Sequence, residues 1–303
     1  MTPSMTVETL RWGPQVAPAE LRNDPELDIV SGSAVPKRGE WRHFWELTFS
    51  MARSELKQRY FGSVLGYFWT LLRPLMLFGV LYFVFTHIVR FGESVKDYPL
   101  YLLMALMLWT YFAETTSIGV TSLVQREGIM RKIKFPRLAV PFSMAITTGF
   151  NLLTNLAIVL IFYLASGVTP TIEWLMAIPL IAALAFFAIG TSMLLSTLYV
   201  KFRDLGPIWE VMTQLLFWGS PIIYVATAPP GNNQTLERVL AASPISATLT
   251  SMRHWVLDPS APGAAGVLGG RIYLLIPVGI ALAVTIAGFW IFIRMAPHIA
   301  EDL

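Results

Sequence analysis

The chain has no cysteine. Disulfides, iron–sulfur clusters and thiolate zinc sites are therefore excluded. Histidine is scarce as well: His43, His87, His254 and His298 are scattered, without metal-ligand spacing, so no metal site is expected. Charged residues make up 14% of the chain, against roughly 25% in soluble domains. The net charge of +3 is small, which gives no reason to expect nucleic-acid binding. No G-x-x-x-x-G-K-[ST] phosphate loop, H-E-x-x-H or G-x-S-x-G occurs. The few Asp and Glu residues beyond the N-terminal tail form no paired-carboxylate cluster and no D-x-D motif. Membrane enzymes are disfavoured, and a conduit or scaffold energised from elsewhere remains. Residues 1–36 have no apolar signal-peptide core and are punctuated by Pro3, Pro14, Pro18, Pro25 and Pro36, which predicts a flexible cytoplasmic tail.

What the chain has in excess is apolar residues, 55% of 303, gathered into long runs. A bilayer crossing takes roughly 20 such residues. The runs predict an all-α integral membrane protein with a single permease domain over 37–303 and six spans near 65–89, 98–124, 138–165, 174–200, 208–224 and 272–293. The long segment 225–270 would lie outside, with helices over Thr235–Ala242 and Ile245–Leu257 separated by Pro244, re-entrant or interfacial in character. Fourteen Lys and Arg from Lys37 onward then fall on the inner side and five on the outer. This bias predicts a multi-pass protein with both termini cytoplasmic.

The stretch Gln125–Pro141 fixes that orientation. It carries Arg126, Arg131, Lys132, Lys134 and Arg137 between two apolar runs. A topogenic loop needs only the charge. This one also holds Ile129, Met130, Ile133 and Phe135, opened by Glu127-Gly128 and stopped by Pro136, which suggests a docking surface for a cytoplasmic partner.

Trp41–Tyr60 reads as an interfacial amphipathic helix. Trp41, Phe44, Trp45, Thr48, Phe49, Ala52 and Leu56 share one side, opposite Arg42, His43, Glu46, Ser50, Arg53 and Lys57. Glu55 and Arg59 break the pattern on the apolar side, four residues apart with the acid first. In the first span, Arg73 either snorkels to the inner interface or faces a polar interior, and Pro74 interrupts the helix. The second span has a polar stripe of Thr110, Glu114, Ser117 and Thr121, and the third one of Ser143, Thr147, Asn151, Thr154 and Asn155. Such stripes serve as interhelical hydrogen-bond glue or line a wet path. Glu114 and Arg73 lie at matched depth, which predicts an ion pair between them.

Four segments carry a family resemblance: ELKQRYFGSVLGYFWTLLRPL (55–75), GIMRKIKFPRLAVPFS (128–143), KFRDLGPIWEVMTQLLFWGSPIIY (201–224) and ASPISATLTSMRHWVL (242–257). In this order they resemble the signatures of type-2 ABC export permeases, in particular the polysaccharide and polyol-phosphate exporters that handle O-antigen, teichoic acid and galactan. The likeness covers about Trp41 to Arg294. It implies a homodimeric half-transporter in a bacterial inner membrane. It also implies two copies of a separate ATPase subunit that bind ATP and Mg, this chain holding no cofactor itself.

The resemblance makes Glu127, Arg131, Lys132, Phe135, Pro136 and Arg137 the coupling segment that meets the ATPase, helix 41–60 the interface helix, and 225–270 the external gate segment. A lipid-linked polysaccharide would pass between protomers. Hydrogen-bonding side chains and aromatic platforms suit a sugar polymer, so the path candidates are Phe68, Trp69, Arg73, Glu114, Ser117, Asn151, Asn155, Trp218 and Tyr224. The aromatics would serve equally as a lipid-facing belt. Lys57, Arg59 and Arg73 are candidates to receive the lipid diphosphate. Two other readings compete: an ion-coupled carrier or channel that titrates Glu114, and a non-transporting scaffold, which would leave the polar stripes without a role.

Overall fold

The computed structural model describes residues 35–36, 39–60, 66–90, 95–130, 135–226 and 234–295. Every regular element among them is helical. Helix α1, Trp41–Tyr60, lies along the bundle on a narrow edge of Phe44, Thr48 and Ala52, spaced four residues apart and buried. Trp41, Trp45 and Phe49, on the flank of that edge, stay 50%, 40% and 57% exposed. The aromatic side of the amphipathic pattern is thus divided between a packed seam and an outward apolar face.

Helix α2, Phe68–Phe83, runs through Pro74 and continues into the π turn Val84–Ile88. Helix α3, Tyr98–Gln125, opens on Pro99 after a left-handed Asp97. Its 28 residues extend about 42 Å. The short α4, Glu127–Met130, precedes α5, Ala139–Ala165. A 3-10 turn, Ile172–Met176, leads into α6, Ala177–Lys201. Helix α7 is Leu205–Gly219, and extended backbone at Ser220 ends it. Two short helices follow, α8 at Gln234–Ala241 and α9 at Pro244–Met252, the latter with proline at its first position and continued by the π turn Arg253–Leu257. Helix α10, Ala264–Leu268, which the sequence pattern does not predict, stops where Gly269 and Gly270 take positive φ of 91° and 156°. The 3-10 turn Arg271–Leu274 leads into α11, Leu275–Met295.

Among the described residues, four helical segments are long and apolar enough to cross a membrane: Phe68–Ile88, Ala139–Ala165, Ile172–Lys201 and Arg271–Met295. Helix α3 has the length, but Glu114 and its run of Thr and Ser dilute its hydropathy. It sits at the centre of the bundle against α2, α5, α6 and α7, where helices rather than lipid surround it. Helix α7 has only 15 residues, about 22 Å, short of a full crossing. The apolar run expected to continue it to Tyr224 instead bends back at Ser220–Tyr224 onto the start of α3.

Helix α6 is gripped on two sides by glycine. A β-carbon at Gly119 of α3 would lie 1.9 Å from Ser192 Oγ. One at Gly288 of α11 would lie 2.1 Å from the Gly190 carbonyl oxygen, and one at Gly190 would lie 2.5 Å from Thr285 Cα. Close backbone approach of this kind maximises van der Waals contact between helices, the dominant attraction where lipid removes the hydrophobic one. The main core surrounds α3. A second cluster, at the end of the bundle where α3 terminates, unites Phe44, Leu123, Phe135, Val140, Val200 and Phe292.

Candidate functional site

Three helices meet in a charged seam near the C-terminal half of α3. Glu55 and Arg59 of α1 pair with each other, Arg59 Nη2 to Glu55 Oε1 at 3.0 Å. Arg59 Nη1 reaches Glu114 Oε1 of α3 at 3.2 Å, and Arg126, at the end of α3, reaches Glu55 Oε2 at 3.1 Å. Helix α5 closes both ends. Asn151 Nδ2 donates to Glu114 Oε1 at 3.0 Å, and Arg126 Nη1 donates to Ser143 Oγ at 2.8 Å. Between them Thr147 Oγ1 donates to the Ser143 carbonyl at 2.9 Å and approaches the Ala52 carbonyl of α1 at 3.5 Å, and Thr115 donates to Thr148 at 2.8 Å. The side chains of Arg59, Glu55 and Glu114 are roughly three-quarters buried and that of Arg126 more so. The four charges sum to zero, which lowers the cost of holding them away from water.

The seam corrects one sequence expectation. The close ion pair of Glu114 is with Arg59; Arg73, exposed on α2, acts on Glu114 only at longer range. A helix on the bundle surface can place a cation beside an intramembrane carboxylate as well as a span can, and periodicity does not reveal that docking. Arg59, a diphosphate candidate, is thereby committed to two carboxylates. Lys57 is exposed. The hydrogen bonds of Ser143, Thr147 and Asn151, together with Tyr67 Oη to Thr154 Oγ1 at 2.7 Å, use the α5 stripe as interhelical glue.

The other candidates separate by exposure. Phe68, Trp69, Ser117 and Trp218 are exposed, Asn151 and Asn155 are buried, and Tyr224 is half-buried with its hydroxyl 3.1 Å from the Gly219 carbonyl. In the basic stretch, Phe135 and Pro136 are buried and anchor the chain in the second core cluster, while Glu127 and Arg137 are half-buried. Arg131 and Lys132 lie outside the described residues.

The opposite end of α3 holds a site that pattern reading misses. Tyr98 donates to the Ile223 carbonyl at 2.7 Å, and Tyr101 donates to the Pro221 carbonyl. Arg253, buried, lies 5.7 Å over the Tyr101 ring and 4.0 Å from Asp258. The Asp258 carboxyl is held below the ordinary aspartate range, chiefly by the Ser260 hydroxyl, against the opposing effect of burial. Residues 221–223 and Arg253 are thus bound to the start of α3. Two tyrosines one turn apart at a helix start were the available signal.

Outward faces remain apolar. Helix α7 buries none of its side chains and exposes Ile208, Val211, Met212, Leu215 and Trp218. Helix α2 exposes Trp69, Met76, Leu77, Val80 and Phe83.

The chain is 28% identical over 262 residues to an O-antigen export system permease protein RfbA of Klebsiella pneumoniae, spanning 86% of this chain and 96% of that protein. It is 27% identical over 219 residues to the O-antigen export system permease protein RfbA of Myxococcus xanthus, spanning 72% of this chain and 83% of that protein. The sequence profile of the ABC-2 type transporter family matches residues 46–256. That match takes in most of α1 and every element from α2 to α9, including both ends of α3 where the polar contacts gather, and on it the chain belongs to the ABC-2 type transporter family.

Proposed function

We propose that the chain is the membrane-spanning half of an ATP-driven exporter that moves a lipid-linked cell-envelope polysaccharide, of O-antigen, teichoic acid or galactan type, out of the cytoplasm. The observation that carries this reading is the similarity to O-antigen export permeases over almost their whole length. In it the protein crosses a bacterial inner membrane six times, with both termini cytoplasmic; α3 adds one crossing to the four most apolar segments, and the short α7 together with the run that turns back at Ser220 completes the other. The end of the bundle bearing Arg126 faces the cytoplasm, as the excess of Lys and Arg there requires. Residues 127–137 meet a separate ATPase, two copies of which bind ATP and Mg and serve a homodimer of this chain. The segment 225–270 forms the outer gate.

The polymer path runs between protomers. Within one protomer Glu114 and most of the α5 stripe are occupied in joining helices, whereas α2 and α7 present exposed faces carrying Phe68, Trp69, Arg73 and Trp218. Aromatic faces suit the apolar faces of sugar rings, and Arg73 and Lys57 remain the diphosphate candidates outside the seam. Burial of Asn151 and Asn155 removes them from the path in this conformation. The ion-coupled alternative loses support, because Glu114 already has a cation and an amide as partners.

The test is mild-detergent affinity purification of the tagged chain with partners identified by mass spectrometry. A near-stoichiometric ATPase is expected, lost when Arg131 and Lys132 are replaced by Ala. Phe135 is left intact because its burial makes its loss a folding defect. A functional chain that purifies without a nucleotide-binding partner overturns the reading.

A further inference from the structure

The charged seam has more order than adhesion requires. Helix α1 already packs on α5 through Phe44, Thr48 and Ala52, and a solvated helix end has no need of buried ion pairs. Yet its last two turns send Glu55 and Arg59 inward, toward two groups of α3 that are far apart. Glu114 and Arg126 are twelve residues apart in sequence, about 18 Å along the helix. Glu55 and Arg59 are four apart, about 6 Å. The end of α1 therefore reaches α3 through two side chains splayed in opposite directions, Glu55 toward the basic stretch and Arg59 toward the membrane interior. Glu55 accepts from a different arginine on each oxygen, Arg59 on Oε1 and Arg126 on Oε2, so the links run in series. Helix α5 fixes each end of the series, through Ser143 and Asn151, eight residues apart on one face.

We propose that Arg126–Glu55–Arg59–Glu114 is a transmission joint, in which displacement of the basic stretch is carried through the end of α1 to Glu114 and Asn151 inside the bundle. The inference rests on the reading above, that a partner ATPase acts on residues 127–137. Arg126 immediately precedes that stretch, so a pull on it loads Glu55 and Ser143 together. The joint transmits because an ion pair resists sliding: a shift of a few ångströms strands two partly desolvated charges, whereas apolar side chains slide to new contacts at little cost. The four residues act through geometry and are positioning residues. They need touch neither nucleotide nor polymer.

The experiment uses the complex purified with its ATPase and reconstituted in vesicles. It reads polymer exported per ATP hydrolysed for the wild type, Glu114→Gln, Arg59→Met and Arg59→Lys. Glu114→Gln keeps the side-chain shape and both hydrogen-bond partners but removes the charge, so it serves where Arg59→Met fails to fold. Monodispersity and retained ATPase stoichiometry select variants that fold and bind. The expected result is that ATP hydrolysis persists while polymer per ATP falls about fivefold or more in Glu114→Gln and Arg59→Met. Arg59→Lys, which keeps the charge, should recover part of it. An unchanged ratio in Glu114→Gln, with ATPase bound, overturns the joint and leaves the export function standing. Absence of an ATPase from the wild-type preparation overturns the export reading first and the joint with it.

Discussion

Gly288 on α11 sets how near that helix approaches α6, and one methyl group tests it. In Gly288→Ala the added carbon would lie 2.1 Å from the Gly190 carbonyl oxygen and 2.9 Å from its carbonyl carbon, against the 3.4 Å at which ordinary contact begins. Both obstacles are backbone, so no side chain can rotate aside. The helices must separate by about 1 Å along a seam that also holds Thr285 against Gly190, and overpacking of this kind costs about 3 kcal/mol. Alanine recovers about 1 kcal/mol through helix propensity. The net expectation is a loss of about 2 kcal/mol. Gly279 on the same helix is the control, since a β-carbon there meets nothing within 4 Å. Gly279→Ala should leave stability unchanged or raise it by up to about 1 kcal/mol. The difference between the two variants cancels the propensity and isolates the steric cost. Equilibrium unfolding of the purified chain, in mixed micelles of a mild detergent and SDS, measures it. Coincident transitions for the two alanine variants would refute the assignment of α6–α11 packing to backbone contact at Gly288.

The Arg59–Glu114 pair is about a quarter exposed on each side, so a double-mutant cycle with Arg59→Met and Glu114→Gln should give a coupling of about 1–2 kcal/mol, between surface and buried pairs. Replacing Arg73 by Met in place of Arg59 should give a smaller coupling in the same unfolding assay, because Arg73 acts on Glu114 only through space, without an ion pair. Tyr101→Phe leaves the buried Pro221 carbonyl without its phenol donor, a loss of about 1–3 kcal/mol, and hydrogen exchange should quicken over Ile222–Ala226 while α6 stays protected. The depressed Asp258 stabilises the fold fully above the unfolded aspartate value of about 4, and that stabilisation is lost as pH falls through the lower folded value. Ser260→Ala should therefore lower the unfolding midpoint at pH 6 and converge with the wild type in strong acid, as thermal melts across that range will record.

The polar stripe on α5 was legible from its spacing, because a helix places every third or fourth residue on one face whatever surrounds it. What the stripe faces was not. Ser143 and Asn151 had the same sequence signature as pore residues, and only the approach of α1 and α3 made them donors and acceptors in a joint. Glu114 was legible as costly in an apolar span, but its partner was not: Arg59 and Arg73 were both cations within plausible reach, and docking of α1 selected Arg59. Phe135 was legible as too apolar for a solvated loop. Its burial beside Phe44 and Phe292 brings together residues far apart in the chain, which no local pattern encodes.

By itself the sequence determined that this protein is helical, built of bilayer-length apolar segments and partitioned by charge, because those properties depend on hydrogen bonding and hydropathy within one segment. It also carried the ordered motifs of an export permease. The tertiary structure decided which polar groups meet, that the run after Gly219 turns back onto Tyr98 and Tyr101, and that two glycines set the α6–α11 distance. Those outcomes depend on contacts between separate helices, where a single ion pair or methyl group changes the balance and the sequence offers several partners of equal chemistry.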